Sequence, residues 1–167
     1  MGKVLPFGIV PKEVPVQTSL LLLAPLMRDA VIAFLADPVV AQGRPERPFE
    51  TLRTMERQTF LYGFSRLYDD SRGRVTNAVD IYKTWHGYGL AIDIIEKDAT
   101  PWEAPADFWS TLAQRAPLYG LTSGALWSTP DLPHIQWAAC PKSPTPADKA
   151  MLIELGPLAV QQYYKAA

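Results

Sequence analysis

Gly89-Leu90-Ala91-Ile92-Asp93-Ile94-Ile95 and His134-Ile135-Gln136-Trp137 are the two runs on which the fold turns. The first is compact and rich in branched residues, so it reads as a buried strand with Asp93 on the face opposite Leu90, Ile92 and Ile94. The second is a shorter buried strand, with His134 and Gln136 on one face and Ile135 and Trp137 on the other. Working outward, Leu26, Ala30, Val31, Phe34 and Leu35 recur at helical spacing from Pro25, a permitted first-turn proline, until Asp37-Pro38 stops them. Phe49 to Arg53 reads as a short strand. Thr54 then caps a helix carrying Met55, Thr59, Leu61, Tyr62 and Phe64 toward Tyr68, which puts Arg53 at a strand-to-helix junction. Pro105 starts a helix whose apolar face is Phe108, Trp109, Leu112, Ala113 and Ala116, and Thr145-Pro146 opens a C-terminal helix that Gly156-Pro157 breaks in two.

Strands separated by helices of differing length, without a glycine-rich strand-to-helix turn or a phosphate loop, argue against a doubly wound nucleotide fold. The pattern predicts a small single α+β domain over residues 1–167, with helices packed on a mostly antiparallel sheet. Met1 to Thr18, holding Pro6, Pro11 and Pro15, reads as an extended arm, Asp69 to Asn77 as an exposed polar loop, and 141–167 as a helical extension.

Composition narrows the function. With 167 residues, 48% of them hydrophobic, the chain has material for one core and is not disordered. Sixteen Lys plus Arg against seventeen Asp plus Glu give a net charge of −1, so no overall field gathers nucleic acid. The single cysteine, Cys140, makes no internal disulfide and no thiolate cage, so a metal must use histidine and carboxylate. The most apolar stretch, Leu20 to Met27, is interrupted by Pro25 and is far short of the roughly 20 residues that span a bilayer. No basic start feeds directly into an apolar run, so the expectation is synthesis in the cytoplasm without a signal peptide.

The chain holds two histidines, and each lies beside a carboxylate in a segment of restricted geometry. His86 precedes Gly87-Tyr88-Gly89 and the strand bearing Asp93; Asp131-Leu132-Pro133-His134 sets a second carboxylate three residues before the second imidazole. Two imidazoles and one carboxylate, with a fourth position open to water, are the ligand set of a catalytic zinc. Asp131 is then the candidate to move the water's proton, and Arg53 the fixed positive donor for a negatively charged intermediate. Taken singly, the same residues also read as hydrogen-bonded core histidines, a turn aspartate and a salt-bridging arginine. Trp85, Tyr88, Trp127 and Trp137 flank these segments as either pocket wall or core. Cys140 reads as a small buried residue, and Arg66, Arg72 and Arg74 with Lys83 as a solvated face.

Arg53-Thr54-Met55-Glu56-Arg57-Gln58, Thr84-Trp85-His86-Gly87-Tyr88-Gly89-Leu90-Ala91-Ile92-Asp93 and Asp131-Leu132-Pro133-His134-Ile135-Gln136 resemble, in that order, the three motifs of the VanY-like zinc peptidases. These are the D-alanyl-D-alanine carboxypeptidases and L-alanyl-D-glutamate endopeptidases of bacterial walls and phage lysins. The resemblance spans Leu26 to Trp137. It implies the Hedgehog/DD-peptidase α+β fold, zinc on His86, Asp93 and His134, Asp131 as general base, and Arg53 as clamp on substrate or intermediate. Thr84 keeps the hydroxyl of the serine that relatives have two residues before the first histidine, and with Arg53, Trp85 and Tyr88 completes the expected substrate-binding set. Thr51-Leu52 replaces the usual Gly-Tyr, and Ser123-Gly124-Ala125 replaces Trp-Gly-Gly. The small side chains of Thr122 to Ala125 suggest an open groove, and with it endopeptidase action between L-alanine and D-glutamate. The alternatives are a D-alanyl-D-alanine carboxypeptidase or dipeptidase, and a zinc-bearing wall-binding module without turnover. The implied partner is peptidoglycan, met by a monomer that reaches the wall after release; no nucleic acid and no integral membrane segment are expected.

Overall fold

Four strands make one antiparallel sheet in the order β1-β2-β4-β3: β1 (Glu46–Glu50), β2 (Ala91–Glu96), β3 (Leu121–Ser123) and β4 (His134–Trp137). The structure is a computed structural model and describes residues 8–42, 46–68, 73–100 and 103–166. Arg72, the start of the arm and residues 69–72 of the polar loop lie outside that set. The two central strands are the two runs predicted from sequence, and their register sets Ala91, Ile92 and Asp93 opposite Gln136, Ile135 and His134. Partners opposite one another share a face, so Ile92 and Ile135 go to the core together and Asp93 and His134 emerge together.

Six helices surround the sheet among the described residues: α1 (Pro25–Leu35), α2 (Pro38–Ala41), α3 (Met55–Gly63), α4 (Ala106–Arg115), α5 (Pro146–Leu155) and α6 (Pro157–Ala166). Met27, Val31 and Phe34 of α1, Phe108 and Leu112 of α4, and Ile92, Ile94 and Ile135 of the sheet share one core. Each such side chain taken from water contributes about 1.5–3 kcal/mol. The C-terminal pair belongs to this core through Val160, Met151, Leu152 and Tyr164, and Thr145 with Asp148 forms a reciprocal cap at the start of α5. A smaller cluster of Phe60, Leu61, Phe64 and Tyr68 takes Val10 and Val14 of the arm. No helix among the described residues is long and apolar enough to cross a membrane.

The sequence pattern and the structure part at α3. Met55, expected inward, is 43% exposed, and Thr59 is exposed too; Arg57, Gln58, Phe60 and Leu61 are buried instead. The buried face is chosen by polar contacts, Arg57 with Glu50 and Gln58 with Arg53, which a hydrophobic pattern counts as outward. The helix stops at Gly63 rather than near Tyr68, and the preceding strand ends at Glu50 rather than Arg53. Arg53 nevertheless stands at the predicted junction. The four-residue α2 and three-residue β3 were not anticipated, being too short to show a period.

Asp37, where α1 was expected to stop, also starts α2: its Oδ1 accepts from the backbone nitrogens of Val39 and Val40 at 2.8 and 3.2 Å. Its Oδ2 accepts from Arg115 and from the Tyr119 hydroxyl, each at 2.6 Å, tying α2 to the end of α4. The Arg115 guanidinium above all, then the Tyr119 hydroxyl, holds the Asp37 carboxyl well below its ordinary range. A depressed folded-state value stabilises the fold above the unfolded value of about 3.9 and loses that contribution as pH falls below it. Asp37→Asn keeps the cap but not the charge. It should unfold at lower urea than the parent at pH 7, and the gap should narrow below about pH 4; urea midpoints at both pH values check this.

Candidate metal centre

Three segments converge on one point. Asp93 and His134 arrive as cross-strand partners on β2 and β4. His86 arrives from the 3-10 turn Trp85–Tyr88, which Gly89 closes with φ 67°, a left-handed conformation that favours glycine. That turn is fastened to the β1–α3 junction by two bonds: Arg53 N donates to His86 O at 3.1 Å, and His86 Nδ1 lies 3.0 Å from Thr51 O.

The partners fix both imidazole tautomers. A carbonyl only accepts, so His86 carries its proton on Nδ1 and turns the Nε2 lone pair inward. For His134, Nε2 is 3.0 Å from Gln136 Oε1. Gln136 cannot be flipped, because its Nε2 donates to the carbonyls of Pro141 and Cys140 at 3.0 and 3.4 Å. His134 therefore donates through Nε2 and turns Nδ1 inward.

The inward atoms form a tight triangle. His86 Nε2 is 3.2 Å from His134 Nδ1 and 3.3 Å from Asp93 Oδ1, and His134 Nδ1 is 3.6 Å from the same oxygen. Tetrahedral zinc ligands at bond lengths of about 2.0–2.1 Å stand about 3.3–3.4 Å apart. The three residues are buried and match that spacing, and the donor set of two imidazoles and one carboxylate suits a borderline-soft divalent cation. Two lone pairs and an anion aimed at one point need positive charge between them. Burial works against ionisation of Asp93, but the neighbouring imidazoles and the charge of Arg53 outweigh it and hold the carboxyl well below its usual range. Burial likewise works to lower His134, and Asp93 more than reverses it, so the imidazole is raised.

Asp131 lies on the exposed rim, three residues before His134, in a turn closed by His134 N donating to Asp131 O at 3.2 Å. Loss of hydration first, then the charge of Asp93, raises its carboxyl above the ordinary value. The turn rests on Gly124, whose backbone carbonyl accepts from Asp131 N at 3.0 Å; a Cβ there would stand 2.6 Å from Asp131 O and 3.0 Å from His134 Cβ. Gly124 and Ser123 are buried. Gly124 thus serves close packing against the Asp131–His134 turn, while Thr122 and Ala125 stay half-buried.

Arg53 reaches the same place from below. Its Nε donates to Glu50 Oε2 at 2.8 Å, Nη2 pairs with the same oxygen and lies 3.5 Å from Asp93 Oδ2, and Nη1 donates to Gln58 Oε1 at 3.2 Å. Thr84, half-buried, leads into the turn that carries His86. Trp85 and Tyr88, expected to line the substrate site, are each 1% exposed. Trp85 packs tilted against Tyr88 and edge-to-face with Tyr164 and donates from Nε1 to Pro141 O at 2.7 Å, so both Trp85 and Tyr88 are core and present no wall to a peptide. The aromatic at the site is Trp127, whose ring centre is 5.0 Å from that of His134 and carries Lys142 Nζ at 4.8 Å on its face. Cys140 is buried, and loss of hydration pushes its thiol up to about 12. Sequence reading gave no role to Glu50, Gln58, Gln136 or the Thr51 carbonyl. Only Gln136 carried a signal, its two-residue spacing from His134 in a strand.

No family model matches the sequence, and no curated protein matches it. The structure resembles the L-Ala D-Glu endopeptidase ChiX of Serratia marcescens with a TM-score of 0.50 and 18% identity, covering 75% of this chain and 91% of that one. The chain has the fold of that endopeptidase. Two further solved structures are similar: the D,D-pentapeptidase VanY of a VanB-type resistance cassette with Zn(II), at TM-score 0.48 and 13% identity over 92% of each chain, and the D,D-dipeptidase VanXYg with a D-Ala-D-Ala phosphinate analogue, at TM-score 0.42 and 18% identity over 84% of this chain and 58% of that. The α+β fold with an antiparallel sheet predicted from the motifs is thus the endopeptidase fold found.

Proposed function

We propose that the protein is a zinc metallopeptidase hydrolysing an amide bond in the peptidoglycan stem peptide. The observation that carries this is the buried His86–Asp93–His134 triangle with both tautomers locked so that every donor points inward. A structural zinc site is closed by four protein ligands, whereas three leave a position for water and substrate. Bound there, zinc supplies a Lewis acid and brings the pKa of a water ligand down to about 7.

The remaining residues divide the work. Asp131, its carboxyl raised above the ordinary value by lost hydration and then by the charge of Asp93, accepts a proton from the attacking water and returns it to the leaving amine. Arg53, fixed at three corners, holds an Nη1 N–H for a substrate carboxylate or the developing oxyanion. Trp127 walls the site beside His134 and carries the Lys142 cation on its face. Thr84, beside the turn that carries His86, supplies a hydroxyl within the substrate-binding set. We further assign L-alanyl-D-glutamate endopeptidase action, supported by the fold shared with an enzyme of that specificity.

Digestion of purified peptidoglycan by the zinc-loaded protein, read by mass spectrometry, tests both levels. New D-glutamate amino termini are expected. Release of free D-alanine alone makes the protein a carboxypeptidase, and no cleavage of any wall type leaves a zinc-bearing binding module. A related prediction concerns Gln136. Gln136→Leu removes the acceptor that fixes the His134 tautomer and should lower zinc affinity roughly 10- to 100-fold, read by competition with a chromogenic chelator.

A further inference from the structure

Glu50, the last residue of β1, is 2% exposed and stands across the ladder from Asp93. Carboxylates opposite one another in neighbouring strands repel, and burial makes the arrangement costlier. The register shows how they come to meet. Glu46, Arg47 and Pro48 pair one for one with Glu96, Ile95 and Ile94, after which an irregularity at Phe49 makes Glu50 the partner of Asp93. Without that extra residue Phe49 would oppose Asp93, and Glu50 would turn to the other face, because a one-residue slip reverses every side chain. The bulge brings a second buried carboxylate beside the first.

Two guanidiniums take up Glu50. Arg53 grips Oε2 through both Nε and Nη2, and Arg57 Nε donates to Oε1 at 3.4 Å. Only Arg53 also reaches Asp93, and it does so at Oδ2, 3.5 Å away, while Oδ1 faces the two imidazole nitrogens. An Arg53 released from Glu50 would be free to fork onto both oxygens of Asp93, the strong bidentate geometry of guanidinium and carboxylate. That would set the guanidinium in competition with a metal ion for the same charge.

We propose that Glu50 is a positioning residue of the metal centre. By occupying the Nε–Nη2 edge of Arg53 it confines the guanidinium to Asp93 Oδ2 and leaves Oδ1 to the cation. The inference rests on the zinc reading above and acts through Arg53, not by contact with metal or substrate.

The test is a double-mutant cycle on zinc affinity, measured by chelator competition on the full chain with circular dichroism as a check of folding. Glu50→Gln should weaken zinc roughly 10- to 100-fold. Once Arg53 is replaced, Glu50 has nothing to act through, so Arg53→Gln and Glu50→Gln/Arg53→Gln should agree within about twofold, within the usual tolerance of such cycles. That second comparison removes one charge of each sign and stands even where Glu50→Gln alone fails to fold. Arg57→Gln, which frees the other oxygen of Glu50 without touching Asp93, should leave zinc affinity within about threefold, an allowance for indirect packing effects. Parental affinity in folded Glu50→Gln, or a further loss on adding it to Arg53→Gln, overturns the proposal and leaves the zinc reading standing. A parent chain that binds no zinc overturns both.

Discussion

Zinc carried by the parent protein through gel filtration should be absent from His86→Ala and His134→Ala, and hydrolysis should vanish with it. Each change removes one of three protein ligands, and the binding free energy of a zinc site is shared among few bonds, so two donors do not hold the ion against buffer and water. His86→Ala also cuts the bond to the Thr51 carbonyl that ties the 85–88 turn to the β1–α3 junction, so part of its effect will appear as lost stability. Asp93→Asn separates the two contributions: it keeps the shape of the side chain between Arg53 and the imidazoles but removes the negative charge facing the cation. It too should lose the zinc. Cys140→Ser should keep it, because the thiol is buried away from the triangle with its acidity suppressed. Stoichiometric zinc in folded His134→Ala, measured by elemental analysis, would falsify the ligand assignment.

The three residues of that triangle were legible because their signals are local. His134 and Gln136 share a strand face by the two-residue period, Asp93 lies in an unmistakable strand, and the glycines after His86 announce a turn. Glu50 was illegible for the opposite reason. Its orientation depends on a register shift between Pro48 and Glu50, in a strand whose partner is more than forty positions away, and bulges leave no periodic trace. The misjudged face of α3 has the same origin, since Arg57 and Gln58 turn inward to meet Glu50 and Arg53. Trp85 and Tyr88 show the converse limit. Adjacency to a ligand in sequence put them beside the site, yet neighbours of His86 in a tight turn point away from it, into the space between the sheet and α6 where Tyr164 meets Trp85.

Asp131→Asn should retain zinc and lose roughly 10²-fold or more in turnover, the size of effect expected when a positioned proton carrier is removed. The reasoning depends on where Asp131 sits. It is not among the three inward donors, it stands on the exposed rim, and its carboxyl is raised by lost hydration and by the charge of Asp93. A carboxyl raised above its ordinary value holds a transferred proton more readily than the strongly acidic Asp93. Asparagine fits the same turn, because the bonds that shape it, Asp131 N to Gly124 O and His134 N to Asp131 O, belong to the backbone. The variant should therefore bind zinc like the parent, and the loss should fall on kcat with KM nearly unchanged, since the amide still fills the place of the carboxylate in the cleft. Steady-state kinetics on a defined stem peptide, with zinc content measured on the same sample, distinguish the outcomes. Parental kcat would move the general base elsewhere, and loss of zinc would make Asp131 part of the metal's own shell.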